Sequence, residues 1–210
     1  MLSLLCVIAA YLLGSVSFAI ISSWIFRLPD PRSYGSGNPG ATNVLRSGRK
    51  AAALVTLLGD AAKGLVAILA ARYLAPVLGF GEMTVAACGV AVFLGHLYPA
   101  YFGFKGGKGV ATALGVLFGL DVFIALVGLS VFAIVIVIAR YVSLASVVAA
   151  AVLIVAAPVR LGLTPVAAAI AIIAMLIIWR HRGNMARLKS GNERKLSFRS
   201  SEPPPADRAA

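Results

Sequence analysis

Apolar residues run almost unbroken from Leu2 to Phe26, from about Ala51 to Leu74, from Met83 to Leu97, from Val110 to Ala139, from Tyr141 to Ala157 and from Leu163 to Trp179. A helix needs roughly 20 such residues to cross the hydrocarbon of a bilayer, and in that solvent it satisfies its own backbone groups. The pattern predicts an all-α, polytopic membrane protein. Charge inside the runs is sparse: Asp60 and Lys63 lie one helical turn apart in the second run and can pair, and Asp121 interrupts the fourth. An intramembrane pair either supports a site or only joins helices; the sequence leaves both open.

The fourth run decides the topology. As one helix it gives six crossings and places the basic loop at 27 to 50 opposite the basic tail. A turn near Asp121 gives about seven, and puts every Lys and Arg except Lys63, Arg72 and Arg160 on one side, as the positive-inside rule requires. The N-terminus is then outside and the C-terminus cytoplasmic. The cost is a helix from 110 to about 120, only ~16 Å long at 1.5 Å per residue, tolerated where protein covers it or it lines a cavity.

Composition agrees: 60% of the residues are hydrophobic, 12% are charged and the mean hydropathy is +0.96. The 21 glycines suit close helix packing in lipid. A net charge of +12 therefore belongs to membrane flanks and implies no nucleic-acid partner. Cys6 and Cys88 lie inside apolar runs and read as small core residues. Met1 to Leu5 lacks a basic n-region, so the first run is read as a retained span. Beyond Lys195, the stretch from Ser200 to Pro205 predicts a disordered end, residues 196 to 210.

Three polar stretches share the cytoplasmic side in this topology, near 34 to 46, 95 to 112 and 180 to 195. They offer Ser36, Asn38, Thr42, Asn43, Arg46, His96, Lys105, Lys108, His181, Asn184 and Arg187, a donor-rich and acid-poor set. Arg forks onto phosphate oxygens and Lys acts as a point charge, so the set suits an anionic ligand. In the second stretch Lys105, Gly106, Gly107, Lys108 and Gly109 add backbone amides that glycine lets approach a ligand closely. The bland readings are a loop whose lysines only set topology, and, for Ser36 to Asn43, a polar turn in which Thr42 or Asn43 caps the second span.

Absences narrow the chemistry. No carboxylate cluster suits a Mg²⁺-dependent transfer, and no metal or cofactor is expected. The glycine loop is no P-loop, since Phe102 stands where the first Gly is needed and Gly109 follows Lys108. Neither histidine has an Asp five residues later, those positions being Tyr101 and Ala186, so a His-Asp base of the soluble acyltransferase type is missing. His96 and His181 remain the groups that titrate near neutrality.

Ser36-Gly37-Asn38-Pro39-Gly40-Ala41-Thr42-Asn43, then Gly95-His96 with Lys105-Gly106-Gly107-Lys108-Gly109-Val110-Ala111-Thr112, then His181-Arg182-Gly183-Asn184 with Arg187-Leu188 and Gly191-Asn192-Glu193, resemble the three motifs of the bacterial membrane acyl-phosphate:glycerol-3-phosphate acyltransferases, the PlsY family. Asp60 to Gly64 and Arg140 to Ser146 also look like that family. Gly183 and Asn192 depart from it, standing where Glu and Thr are frequent. The resemblance covers residues 1 to about 195 as one acyltransferase domain. It implies a seven-helix protein of the bacterial cytoplasmic membrane with its active site facing the cytoplasm. The implied reaction moves a fatty acyl group from acyl phosphate to the 1-hydroxyl of glycerol 3-phosphate, giving lysophosphatidate and phosphate. A peripheral acyl-phosphate-forming transacylase is an implied partner.

On that resemblance, Ser36, Arg46, Lys105, His96, His181 and Asn184 are the expected catalytic set. Asn38, Gly40, Thr42, Asn43, Gly106, Gly107, Lys108, Gly109, Thr112, Ser143 and Arg187 are expected to hold substrate or phosphate. A donor with a good leaving group needs mainly positioning and charge stabilisation, so a substrate phosphate oxygen is favoured as base, with His96 or His181 as alternates. A transporter for a phosphorylated solute would place its polar groups near the midplane, and a scaffold protein would need no such cluster.

Overall fold

The computed structural model describes residues 1–196, so of the expected disordered end, 196 to 210, all but Leu196 lies outside the described residues. Among the described residues there is no strand. The chain forms α1 (Leu2–Gly14), α2 (Phe18–Ile25), α3 (Ala41–Leu45), α4 (Lys50–Leu78) and α5 (Glu82–Leu97), and a short 3-10 turn at Ala100–Phe102. It continues through α6 (Val110–Leu120), α7 (Val122–Ala139), α8 (Val142–Leu161), α9 (Pro165–Arg180) and α10 (Arg182–Lys189). Five segments are long and apolar enough to cross a bilayer: Leu2–Ile25, Lys50–Leu78, Glu82–Phe102, Val122–Ala139 and Val142–Leu161. The α9–α10 pair, bent by 47°, makes a sixth, and α6 is a shorter apolar helix.

The turn expected near Asp121 is present. Asp121 is extended, and its carboxylate accepts the Ile124 amide at 2.8 Å, capping α7. An Asp after eleven apolar residues stops one helix and starts the next because its side chain replaces a missing backbone acceptor.

The first run is a candidate span, Leu2–Ile25, with a break inside it: Ser15 to Ser17 separate α1 from α2. The break is tolerated because the freed Val16 carbonyl accepts the Lys63 ammonium at 2.7 Å, a partner from another helix, as backbone polar groups require in lipid. Neither Thr42 nor Asn43 caps the second span. They lie in the separate α3, whose N-cap is Gly40, and α4 starts after Arg49 with no side-chain cap. The chain bends at His181 between α9 and α10.

Glycine sets two close helix crossings. A Cβ at Gly115 would strike the Ala61 carbonyl and one at Gly64 the Thr112 carbonyl, so α6 lies backbone to backbone on α4. Gly14 and Gly95 do the same for α1 and α5, against the Val92 and Tyr11 carbonyls. Small residues give this approach where lipid offers no hydrophobic driving force. Both contacts carry polar parts of the chain toward the glycine loop that precedes α6.

Candidate active site

The first polar loop is built on one side chain. Asn43 is 2% exposed. Its Nδ2 donates to the Pro31 and Tyr34 carbonyls at 2.7 and 3.1 Å. Its Oδ1 accepts from the Ser36 amide at 2.9 Å, the Ser36 hydroxyl at 3.1 Å and Arg46 Nη1 at 3.3 Å. Both amide hydrogens are used, so Asn43 has none to offer a substrate. It positions Ser36, which is exposed, and Arg46, which is half-buried. Asn38, Gly40 and Thr42 are half-buried beside them.

The second loop folds onto α5. Gly107 donates its amide to the His96 carbonyl at 3.1 Å. A Cβ at Gly106 would strike that carbonyl, and one at Gly107 would strike His96 Nε2 and lie 3.0 Å from the Pro39 carbonyl of the first loop. Gly109, buried with φ of 80°, turns the chain into α6. Lys108 points into the third loop and donates to Asn184 Oδ1. Lys105 is exposed at the rim.

The third loop brings the one carboxylate of the cluster. Glu193 Oε1 accepts from Ser143 at 2.8 Å and from Asn184 Nδ2 at 2.6 Å, and its Oε2 accepts from Arg187 at 2.9 Å. Burial works to raise the Glu193 carboxyl, but the hydrogen bonds from Asn184, Ser143 and Arg187 hold it below its usual range. Burial pushes Lys108 down to about 8; the Glu193 charge opposes this, and Arg187, Arg180 and Arg46 add to it. Arg46 is lowered by burial and then by Arg194 and Arg187, with Glu193 again opposing. Several cations thus crowd one carboxylate. Such a field favours a polyanionic ligand.

Beneath the glycine loop is a second, buried group. Lys63 Nζ lies 2.9 Å from Asp60 Oδ1 and 3.1 Å from His96 Nδ1, and His96 Nδ1 is 3.5 Å from Asp60. The Asp60 oxygen accepts no well-directed hydrogen bond, so its attraction to Lys63 is ionic. Thr112, 0% exposed, puts its hydroxyl 3.3 Å from the same Nδ1. Thr112, expected to hold substrate or phosphate, thus has its side chain in this interior cluster. His181 is also turned inward, 3% exposed, with Nδ1 donating to the Ile177 carbonyl at 2.8 Å.

The three loops do converge, as the motifs implied. Ser36 and Arg46 share Asn43, while Lys108, Asn184, Ser143 and Arg187 meet around Glu193. Sequence reasoning missed the role of Glu193, though it ends the third motif. It also missed that Asp60 stands beside His96, because a search for Asp at fixed spacing cannot see a partner on another helix.

Fold and site define an integral membrane protein with a cationic, amide-rich seat formed by three loops. The chain belongs to the glycerol-3-phosphate acyltransferase family, whose model matches residues 4–191. It is 51% identical over 200 residues to a glycerol-3-phosphate acyltransferase of Thiobacillus denitrificans, covering 95% of this chain and all of the relative. It is 52% identical to that of Aromatoleum aromaticum over 92% of this chain and 96% of the other. Among solved structures it is similar to PlsY, an integral membrane glycerol 3-phosphate acyltransferase, in its glycerol 3-phosphate form, with a TM-score of 0.86, 39% identity and coverage of 94% of this chain and 96% of that one. The lysophosphatidic acid form gives 0.84 at 38% identity, covering 94% and 97% of the two chains.

Proposed function

We propose that the protein transfers a fatty acyl group from acyl phosphate to the 1-hydroxyl of glycerol 3-phosphate, giving lysophosphatidate and inorganic phosphate. The observation that carries this reading is the crowding of Arg46, Lys108 and Arg187 around Glu193 beside a loop of glycine amides, in a chain of this family. The hydroxyl oxygen attacks the acyl carbon, the bond from that carbon to the phosphate oxygen breaks, and phosphate leaves with the hydroxyl proton. Arg46, Lys105, Lys108, Arg187 and the loop amides hold phosphate; Ser36, Thr42, Ser143 and Asn184 orient the hydroxyl and the acyl phosphate. Asn43 acts at one remove, through Ser36 and Arg46.

A substrate phosphate oxygen serves as base. The Lys63 ammonium donates to His96 Nδ1, which leaves the ring proton on Nε2 and no free lone pair. His181 keeps an Nε2 lone pair but is 3% exposed. His96→Asn and His181→Asn keep an atom at the Nδ1 position and remove Nε2. Each is expected to turn over within about tenfold of wild type, whereas removing a true base costs on the order of 10²–10⁴-fold. A loss of that size in either variant makes that histidine the base.

Seven crossings follow if α6 and α9 also traverse the bilayer. The N-terminus is then outside, and the loops face the cytoplasm of a bacterial inner membrane, where a peripheral transacylase supplies acyl phosphate. Residues 1 to 195 act as one unit. A transporter would use mid-bilayer charges, but here Asp60, Lys63 and His96 lie against one another.

The direct test is purified protein in detergent, given acyl phosphate and glycerol 3-phosphate; folded protein that makes no lysophosphatidate refutes the proposal. A pH profile tests the lysine. Lys108 is charged below about 8 and neutral above it, so kcat/KM is expected to fall as pH rises through that value. Lys108→Arg, which does not titrate in this range, is expected to move the falling limb to higher pH. An unmoved limb assigns it elsewhere.

A further inference from the structure

Glycine at 106 and 107 creates a difficulty for an amide-lined seat. Without a Cβ, a peptide plane can turn over at little cost, and a turned peptide presents its carbonyl oxygen where its N–H is wanted. Something must hold the planes. On one side the His96 carbonyl takes the Gly107 amide at 3.1 Å. On the other, Arg180 Nη2 donates to the Gly106 carbonyl at 3.1 Å and to the Gly107 carbonyl at 2.9 Å. Both carbonyls of the glycine pair are thereby aimed at one guanidinium.

In a trans peptide the N–H points opposite the C=O. With the Gly107 carbonyl on Arg180, the Lys108 amide faces away from it. Among the described residues the Lys108 and Gly109 amides donate to no backbone acceptor. Arg180 reaches this place at a cost, because its Nε is buried without a partner, and a buried unmade donor costs about 1–3 kcal/mol. Its guanidinium also lies 5.8 Å from the Tyr98 ring centroid and 6.0 Å from that of Trp179, so it is flanked by the residue that follows α5 as well as by α9.

We infer that Arg180 is a positioning residue for phosphate binding: it locks the Gly106 and Gly107 carbonyls away from the seat so that the Lys108 amide faces the substrate phosphate. The inference rests on the phosphate reading of this site. Without Arg180 the glycine pair samples turned peptides whose oxygens repel phosphate, so binding weakens before chemistry does. Nη2 alone makes both bonds, its two N–H directions fixed in the guanidinium plane; a lysine ammonium on a flexible stem does not hold two donors in fixed directions.

The test is steady-state kinetics of R180A and R180K beside wild type in detergent, with thermal midpoints recorded. In R180A, KM for glycerol 3-phosphate is expected to rise about tenfold or more while kcat falls less than about threefold. Methylguanidinium is expected to bring KM back toward wild type, and R180K to keep the raised KM. A wild-type KM in R180A overturns the inference, as does a loss confined to kcat or one that methylguanidinium leaves untouched. Should R180A fail to fold, R180K decides: a wild-type KM there is equally fatal. If wild-type protein itself makes no lysophosphatidate, the parent reading falls and this one with it; if wild type works and the variants bind as well, only the role of Arg180 falls.

Discussion

Replacing Glu193 by alanine is expected to lower kcat/KM by about 100-fold or more, since misplacing substrate-holding groups by an ångström costs that much. Glu193 accepts from Ser143, Asn184 and Arg187 at once, so its loss frees one group of α8 and two of α10. It also removes the negative charge that opposes the mutual repulsion of Lys108, Arg46 and Arg187. Asn184 is then pulled only by Lys108. Glu193→Gln keeps an acceptor oxygen and roughly the same shape, and is expected to retain more activity than alanine. Kinetics of the two variants checks this; alanine at wild-type kcat/KM would mean that Ser143, Asn184 and Arg187 are held without the carboxylate.

Asp60→Asn is expected to cost stability more than any loop substitution. Asp60 and Lys63 have side chains only 3% and 1% exposed, and Asp60 lies ten residues into α4, about 15 Å along its axis. The variant strands a buried ammonium. Breaking a buried pair from one side costs about 3–5 kcal/mol, while replacing both partners by apolar residues is often close to neutral. The thermal midpoint in detergent is therefore expected to fall on the order of 10 °C in Asp60→Asn, and Asp60→Asn with Lys63→Met is expected to recover part of it. A double variant less stable than the single one defeats this account. The Lys63 bond to the Val16 carbonyl sets the limit of recovery, because methionine leaves that carbonyl unpaired.

Much of the site was legible because its residues are consecutive. Ser36 to Asn43 and Lys105 to Gly109 are each one short stretch, and glycine among polar residues announces a loop whose backbone matters. What such stretches do not show is division of labour. Asn43 and Ser36 look alike as polar loop residues, yet one amide is fully spent on Pro31 and Tyr34 while the other side chain stays exposed. Lys105 and Lys108 are three residues apart, and one lies at the rim while the other is half-buried against Asn184. Arg180 carried no signal at all, since an arginine ending an apolar helix reads as a membrane flank.

Sequence alone determined the membrane class, the helical fold, the break at Asp121 and the three loops, because lipid permits few alternatives to a long apolar helix and the distribution of Lys and Arg called for one more crossing than an unbroken fourth run allows. Tertiary structure decided the rest. It opened α1 from α2 at Ser15 to Ser17, set Asp60 and Lys63 against His96, turned Thr112 inward and gathered Ser143, Asn184 and Arg187 on Glu193. Contacts such as Lys63 with Val16 and His96, and Thr112 with His96, join groups far apart in the chain, and the crossing of α1 with α5 and of α4 with α6, set by backbone contacts at Gly14, Gly64, Gly95 and Gly115, brings these within hydrogen-bond reach.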